Sequence, residues 1–169
     1  MMDISMSKYQ GIGFWRESPL TRLLEEPRHS QSYIQKMKAK YEDFVEIQPH
    51  CLIDETFWET HNKEGVVNYL KKGTMLSAYM GFSNCRLCDN MLGTKDLSDG
   101  FFVWPEQFDH YITEHNLVIP EYFYEYIKEH NYEPEKIEES IGGNKIELEM
   151  WNEWVLDYTL NNPSLAFEK

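Results

Sequence analysis

The chain has 169 residues, 41% of them hydrophobic and 15% aromatic, which is enough to close a packed core and excludes a disordered chain. Its net charge of −13 is uneven: residues 1–100 hold 14 acidic and 12 basic groups, and residues 101–169 hold 15 and 4. Such an acidic chain repels nucleic-acid phosphates and draws basic partners, and no run approaches the roughly 18 apolar residues of a membrane span. The N-terminus lacks the basic and apolar regions of a signal peptide. Three cysteines argue against a disulfide framework and for a reducing cytoplasm.

In chain order, residues 1–15 read as a loosely held lead-in, with Phe14-Trp15 docked. Ser18-Pro19 starts a helix faced by Leu20, Leu23 and Leu24 and stopped by Pro27. Ser30 or Ser32 caps the next, with Tyr33, Met37, Tyr41 and Phe44 on one stripe and Lys36, Lys38 and Lys40 on a solvated face. Asp54 caps a turn carrying Phe57 and Trp58. Asn62 caps a helix holding Val66, Val67, Tyr69 and Leu70, which Gly73 ends by left-handed geometry. Residues 74–82 predict a strand with Leu76, Ala78, Met80 and Phe82 on one face. Phe101–Trp104 and Leu117–Ile119 predict short strands, with Pro105 as the first position of a helix between them. Pro120 opens a helix with Tyr122, Phe123, Tyr126 and Ile127 inside. Glu133-Pro134 starts a shorter one through Ile137 and Ile141, stopped by Gly142-Gly143. A last helix, from about 148 to 160, is docked by Trp151 and Trp154 and ended by Asn161-Asn162-Pro163.

The chemistry concentrates between Ser83 and His115. Cys85 and Cys88 form a C-x2-C pair, and His110 and His115 follow with four residues between them. Two thiolates and two imidazoles complete a tetrahedral zinc shell. Asp89-Asn90 tolerates the left-handed backbone of a tight turn, and Asp99-Gly100 marks a hairpin. Histidines five apart lie about 140° around an ideal helix. They meet one ion if the last turn loosens, and Asn116 is placed to end the helix there. The 21 residues between the pairs far exceed the roughly 12 of a nucleic-acid-reading finger. His50, Cys51 and His61 have no standard ligand spacing.

The residues Gly81-Phe82-Ser83-Asn84-Cys85-Arg86-Leu87-Cys88, then Leu97-Ser98-Asp99-Gly100, Trp104-Pro105-Glu106, His110-Tyr111, His115 and Ile119-Pro120 resemble a group of uncharacterised bacterial proteins. Upstream, Tyr69-Leu70 and Gly73 fit the same pattern. The resemblance spans roughly residues 65–125 and implies a shared metal-site module without a mechanism. Asp89 and Gln107 stand where that pattern has glycine.

The expected fold is α+β, a mostly helical single domain (1–169) around a zinc-bound hairpin-plus-helix of zinc-finger or treble-clef type. Its parts are an N-terminal helical region (1–61), the zinc module (62–131) and an acidic C-terminal helical region (132–169). The expected function is a non-enzymatic, zinc-stabilised cytoplasmic protein that binds a protein partner of basic character, as small inhibitors or immunity and anti-defence proteins do. No nucleic-acid or membrane partner is expected. The alternative is a zinc hydrolase, a nuclease or deaminase-like enzyme, with Glu106, Asp109 and Glu114 as the available carboxylates.

Overall fold

The computed structural model describes residues 8–26, 28–139 and 144–162. The chain divides into two compact units, one of Met1–Phe14 with Pro49–Lys169 and one of Trp15–Gln48.

The smaller unit contains α1 (Pro19–Glu25), capped by Ser18, and α2 (Gln31–Lys40), capped by Ser30. Its two ends are tied by a reciprocal pair of backbone hydrogen bonds, Arg16 N to Ile47 O at 2.8 Å and Ile47 N to Arg16 O at 2.9 Å. The Arg16 guanidinium donates to the Val45 carbonyl at 2.7 Å and lies 4.6 Å from the Phe44 ring centre. The predicted stripe is shorter than expected. α2 stops at Lys40 and has no buried residue, and Tyr41 caps it, meeting Phe44 edge to face. Pro27, expected to stop α1, lies outside the described residues.

The larger unit is α+β, built on a five-stranded mixed sheet. Its strands are β1 (Lys8–Gly11), β2 (Thr74–Ala78), β3 (Lys95–Ser98), β4 (Phe102–Pro105) and β5 (Lys145–Glu147), in the order β2-β3-β4-β1-β5. β2, β3 and β4 run antiparallel, and β1 runs parallel to both β4 and β5. Residues 8–11 are thus an interior strand, correcting the loose lead-in. Their Lys-Tyr-Gln-Gly sequence has no apolar alternation because the sheet needs their backbone. A side chain on Gly11 would collide with Leu148 and come within 3.0 Å of Ile146 Cγ2.

Around this sheet lie α3 (Lys63–Lys71), α4 (Asp109–His115), α5 (Glu121–Glu129) and α6 (Glu149–Asn161). Asn62 caps α3 through the Gly65 N–H at 3.0 Å. Gly73 does not end α3 by left-handed geometry, since Lys72 is the cap. It is instead a packing contact, because a Cβ there would sit 2.7 Å from Trp104 Cζ2 and 2.8 Å from Leu97 Cβ. Trp104, fully buried, donates its indole N–H to Leu70 O at 3.0 Å, joining α3 to β4. Trp58 and Trp151 likewise donate to Leu117 O and Phe14 O. Buried tryptophans of this kind supply apolar area without an orphaned N–H.

Several expected elements differ. β2 ends at Ala78, with a register shift between Met75 and Ser77 that buries both Leu76 and Ser77. Met80 and Phe82 are therefore exposed rather than on a core face. Pro105 closes β4 instead of opening a helix, since left-handed Gln107 (φ 62°) delays α4 to Asp109. Leu117 forms one antiparallel bridge with Ile53 in place of a strand. Residues 133–139 form no helix: Asn131 and Tyr132 are both left-handed, and Ile137 N–H reaches Thr74 Oγ1 across the fold. Ile141, Gly142-Gly143 and Pro163 lie outside the described residues. No helix among the described residues is long and apolar enough to cross a membrane.

Asp99 does more than turn the β3–β4 hairpin. Its buried carboxylate accepts from Phe101 N at 2.9 Å, Phe102 N at 2.7 Å and Tyr69 Oη at 2.6 Å. Burial outweighs these donors and holds its carboxyl above the usual range, so the folded state binds a proton more readily than the unfolded chain. Stability from this group therefore rises as pH falls through the folded pKa towards the unfolded value of about 3.9. Thermal melting of wild type and Asp99→Asn, compared from neutral pH downward, should show wild type gaining relative to the variant. A relative loss on acidification would refute it. Gly73→Ala should cost about 1–3 kcal/mol by overpacking against Trp104, read from urea denaturation midpoints.

Candidate metal centre

Cys85 and Cys88 sit in a knuckle within the β2–β3 connection. Asn84 and Met91 form an isolated antiparallel bridge across it. Cys85 N–H donates to Asn90 O at 2.8 Å, and Asp89 N–H returns to Cys85 O at 3.0 Å. The turn requires left-handed backbone at Asp89 (φ 59°). Leu87 N–H points at Cys85 Sγ, 3.4 Å away. Below the knuckle, Ser83 and Leu92 continue the pairing, with Leu92 N to Ser83 O at 2.7 Å.

The histidines come from α4. His110 lies in its first turn and His115 is its last residue. Asn116, left-handed at φ 55°, ends the helix, and Leu117 N–H closes a six-to-one bond onto Tyr111 O at 3.1 Å. The structure meets the angular problem of the five-residue spacing by placing the helix end at the second histidine. Cys85 Sγ lies 3.4 Å from His115 Nε2, and Cys88 Sγ lies 3.3 Å from His110 Nε2. All four donor atoms lie within 4.8 Å of one another. Tetrahedral bonds of ordinary zinc–sulfur and zinc–nitrogen length separate S and N by about 3.5 Å, so both pairs match a shared ion. Among the described residues this is the one group of His, Cys or carboxylate side chains able to share a metal.

Cys85 is buried, Cys88 is exposed, and the histidines are half-buried. Burial pushes the Cys85 thiol up, opposed by the Leu87 and Cys88 N–H groups. Burial, helped by the neighbouring His110, pushes His115 down and so favours the neutral imidazole that ligates metals.

Two supports escaped the sequence reading. Tyr111, between the histidines, buries its ring and accepts from Arg86 N at 2.9 Å through its hydroxyl, tying the knuckle to α4. Glu106 accepts from Thr94 N at 3.0 Å and donates its own N–H to Lys95 O at 2.8 Å. Gly93 lies against its carboxylate, where a Cβ would collide. The signal for Tyr111 was its place on the inward face of a two-histidine helix. Glu106 carried none beyond position.

Of the other candidates, Asp109 lies 4.0 Å from Lys71 Nζ, and Glu114 is exposed. His50, Cys51 and His61 form no common cluster. His61 has both nitrogens engaged, with Phe57 O and Glu121 Oε1 each at 2.6 Å. Asp89 and Gln107, the two departures from glycine in the motif, are both left-handed. Comparisons with family models, curated proteins and solved structures give no match. What stands of the motif resemblance is the Cys/His donor set.

Gln107→Gly should stabilise the protein, or leave it unchanged, by up to about 1 kcal/mol as strain is relieved. A clear loss of stability in chemical denaturation would show that the Gln107 side chain is required. Tyr111→Phe should cost about 1 kcal/mol for the lost hydrogen bond, a melting shift of about 2–4 °C.

Proposed function

We propose that this protein is a non-enzymatic protein-interaction module whose fold is locked by a structural zinc ion on Cys85, Cys88, His110 and His115. The observation that carries this reading is the convergence of four protein donors from a knuckle and a helix. Thiolate with imidazole is the donor chemistry of zinc rather than of magnesium or calcium. Four protein ligands fill a tetrahedral shell and leave no position for a reacting water. Knuckle, β3–β4 hairpin and α4 then follow the order of a treble-clef-like unit. Bound zinc would neutralise the two thiolates and fasten the β2–β3 connection to α4; every other contact is the chain's own.

An interaction role is supported by what the finger displays. Tyr79, Met80, Phe82 and Met91 are large and exposed, Phe82 at 69% and Met91 at 62%. All four belong to the β2–β3 connection, and contiguous exposed apolar surface marks interaction sites. The acidic excess after residue 100 supports a basic partner, in the manner of a small inhibitor or an immunity or anti-defence protein.

A second reading, a zinc hydrolase, rests on the exposure of Cys88, which gives solvent a route to the ion. It needs one of the four donors to be displaced by water and a carboxylate such as Asp109 or Glu114 to serve as base.

Metal analysis of purified protein should find one zinc per chain, with an absorption-edge spectrum of two sulfur and two nitrogen neighbours. The Cys85→Ser, His115→Ala double variant should lose the metal and melt far lower or aggregate, since structural zinc contributes on the order of 10 kcal/mol in small fingers. A zinc-bound water with three protein ligands, or a variant that folds normally, would overturn the structural assignment and favour the hydrolase.

A further inference from the structure

α6 has two apolar faces. Trp151 and Val155 point inward and are buried, Trp151 anchored by its N–H to Phe14 O at 2.9 Å. Successive residues turn about 100° along a helix, so Met150, Trp154, Leu156 and Leu160 fall on a different side. That side is open: Met150 is 44% and Leu160 78% exposed. With Tyr122 of α5 it bounds a shallow, open groove of about 620 Å³. A helix that is apolar on its inner and outer sides has surface to cover beyond its own core.

The groove also has a sign. Glu153 and Asp157, one turn apart, line it, and among the described residues no lysine or arginine does. α6 carries Glu149, Glu153 and Asp157 and no basic residue over its 13 positions. The buried hydroxyl of Tyr122 finds no hydrogen-bond partner in the described structure. Trp154, half-buried, lines the same face as the two carboxylates, where an indole ring attracts a cation.

Resting on the protein-interaction reading above, we propose that the outer face of α6 seats a short amphipathic segment of a basic partner protein, its aliphatic side chains against Met150, Leu156 and Leu160 and a Lys or Arg between Glu153, Asp157 and Trp154. The charge of the groove selects this occupant. The exposed apolar stretch of the β2–β3 connection carries no such signature, since its charged residues Arg86 and Asp89 are of opposite sign.

The probe is a fluorescein-labelled peptide alternating leucine and lysine, titrated by anisotropy into the zinc-loaded full chain, with a leucine–glutamate peptide as control. The basic peptide should bind and the acidic one should not. Glu153→Lys with Asp157→Lys, and separately Leu160→Ser, should weaken binding by about tenfold or more, as loss of a central contact does. Glu138→Lys with Glu139→Lys makes the same change in net charge away from the groove and should have much less effect. Equal weakening by both charge reversals would reduce the binding to bulk attraction and overturn the groove. Hydrogen-exchange protection over residues 79–94 instead of α6 would also overturn it, while leaving an interaction module in place. A dimer broken by Leu160→Ser would make a second copy the occupant and overturn the basic segment. Failure of the wider reading registers separately, as hydrolysis by the zinc-loaded protein or as absent zinc.

Discussion

Two pairs of donor atoms, separated by 22 and 30 positions along the chain, meet at 3.3 and 3.4 Å. That convergence constrains the surrounding segment. The knuckle must present both sulfurs from one turn, so Asp89 accepts a left-handed backbone. The helix must present two imidazoles five residues apart, so it ends at the second. The hairpin between them must return the chain to the right place, and Asp99 fixes it by gathering two backbone N–H groups and the Tyr69 hydroxyl. The Asp99 hydrogen bond also joins α3 to the hairpin. The cost is a buried carboxylate, tolerated because its oxygens are engaged.

The supporting contacts are organised so that backbone polarity is used up as the donors are positioned. Tyr111 spans from α4 to Arg86 N, Glu106 spans from the β4–α4 turn to Thr94 N, and Trp104 spans from β4 to Leu70 O. Each is a long-range tie from a side chain to a backbone group: those of Tyr111 and Glu106 pin the largely exposed β2–β3 connection, and that of Trp104 holds the helix α3. A buried aromatic with a polar tip suits this work because its ring packs while its tip pairs.

The donor set and its helix termination were legible in the sequence because ligand chemistry and left-handed residues leave local signatures. Cys85, Cys88, His110, His115, Asp89 and Asn116 could each be read where they stand. The caps at Ser18, Ser30, Asp54 and Asn62 were legible for the same reason. What could not be read was pairing. Lys8–Gly11 is an interior strand with Tyr9 as its one large hydrophobic side chain, because its place is fixed by β4 and β5 on either side. Gly73 looked like a helix terminator, yet its role is set by Trp104, 31 residues on, a contact no local rule contains. Residues 133–139 had a helix-start signal, and two consecutive left-handed residues before them sent the chain across the fold instead. Non-local competition overrode local propensity in each case.

α6 uses its two tryptophans differently. Its spacing read as a helix docked by two tryptophans, and the structure separates their roles: Trp151 is fully buried and bonded, while Trp154 is half-buried and lines a groove. Their ring centres lie 5.3 Å apart, so the buried ring is a platform for the half-buried one. A side chain fixed in this way loses little further freedom on meeting a ligand, and such pre-organisation favours affinity from a small contact. Metal centre and groove would then divide the work. Four donors converge between the knuckle and α4, and under the proposed reading the helix anchored by Trp151 would offer a second surface.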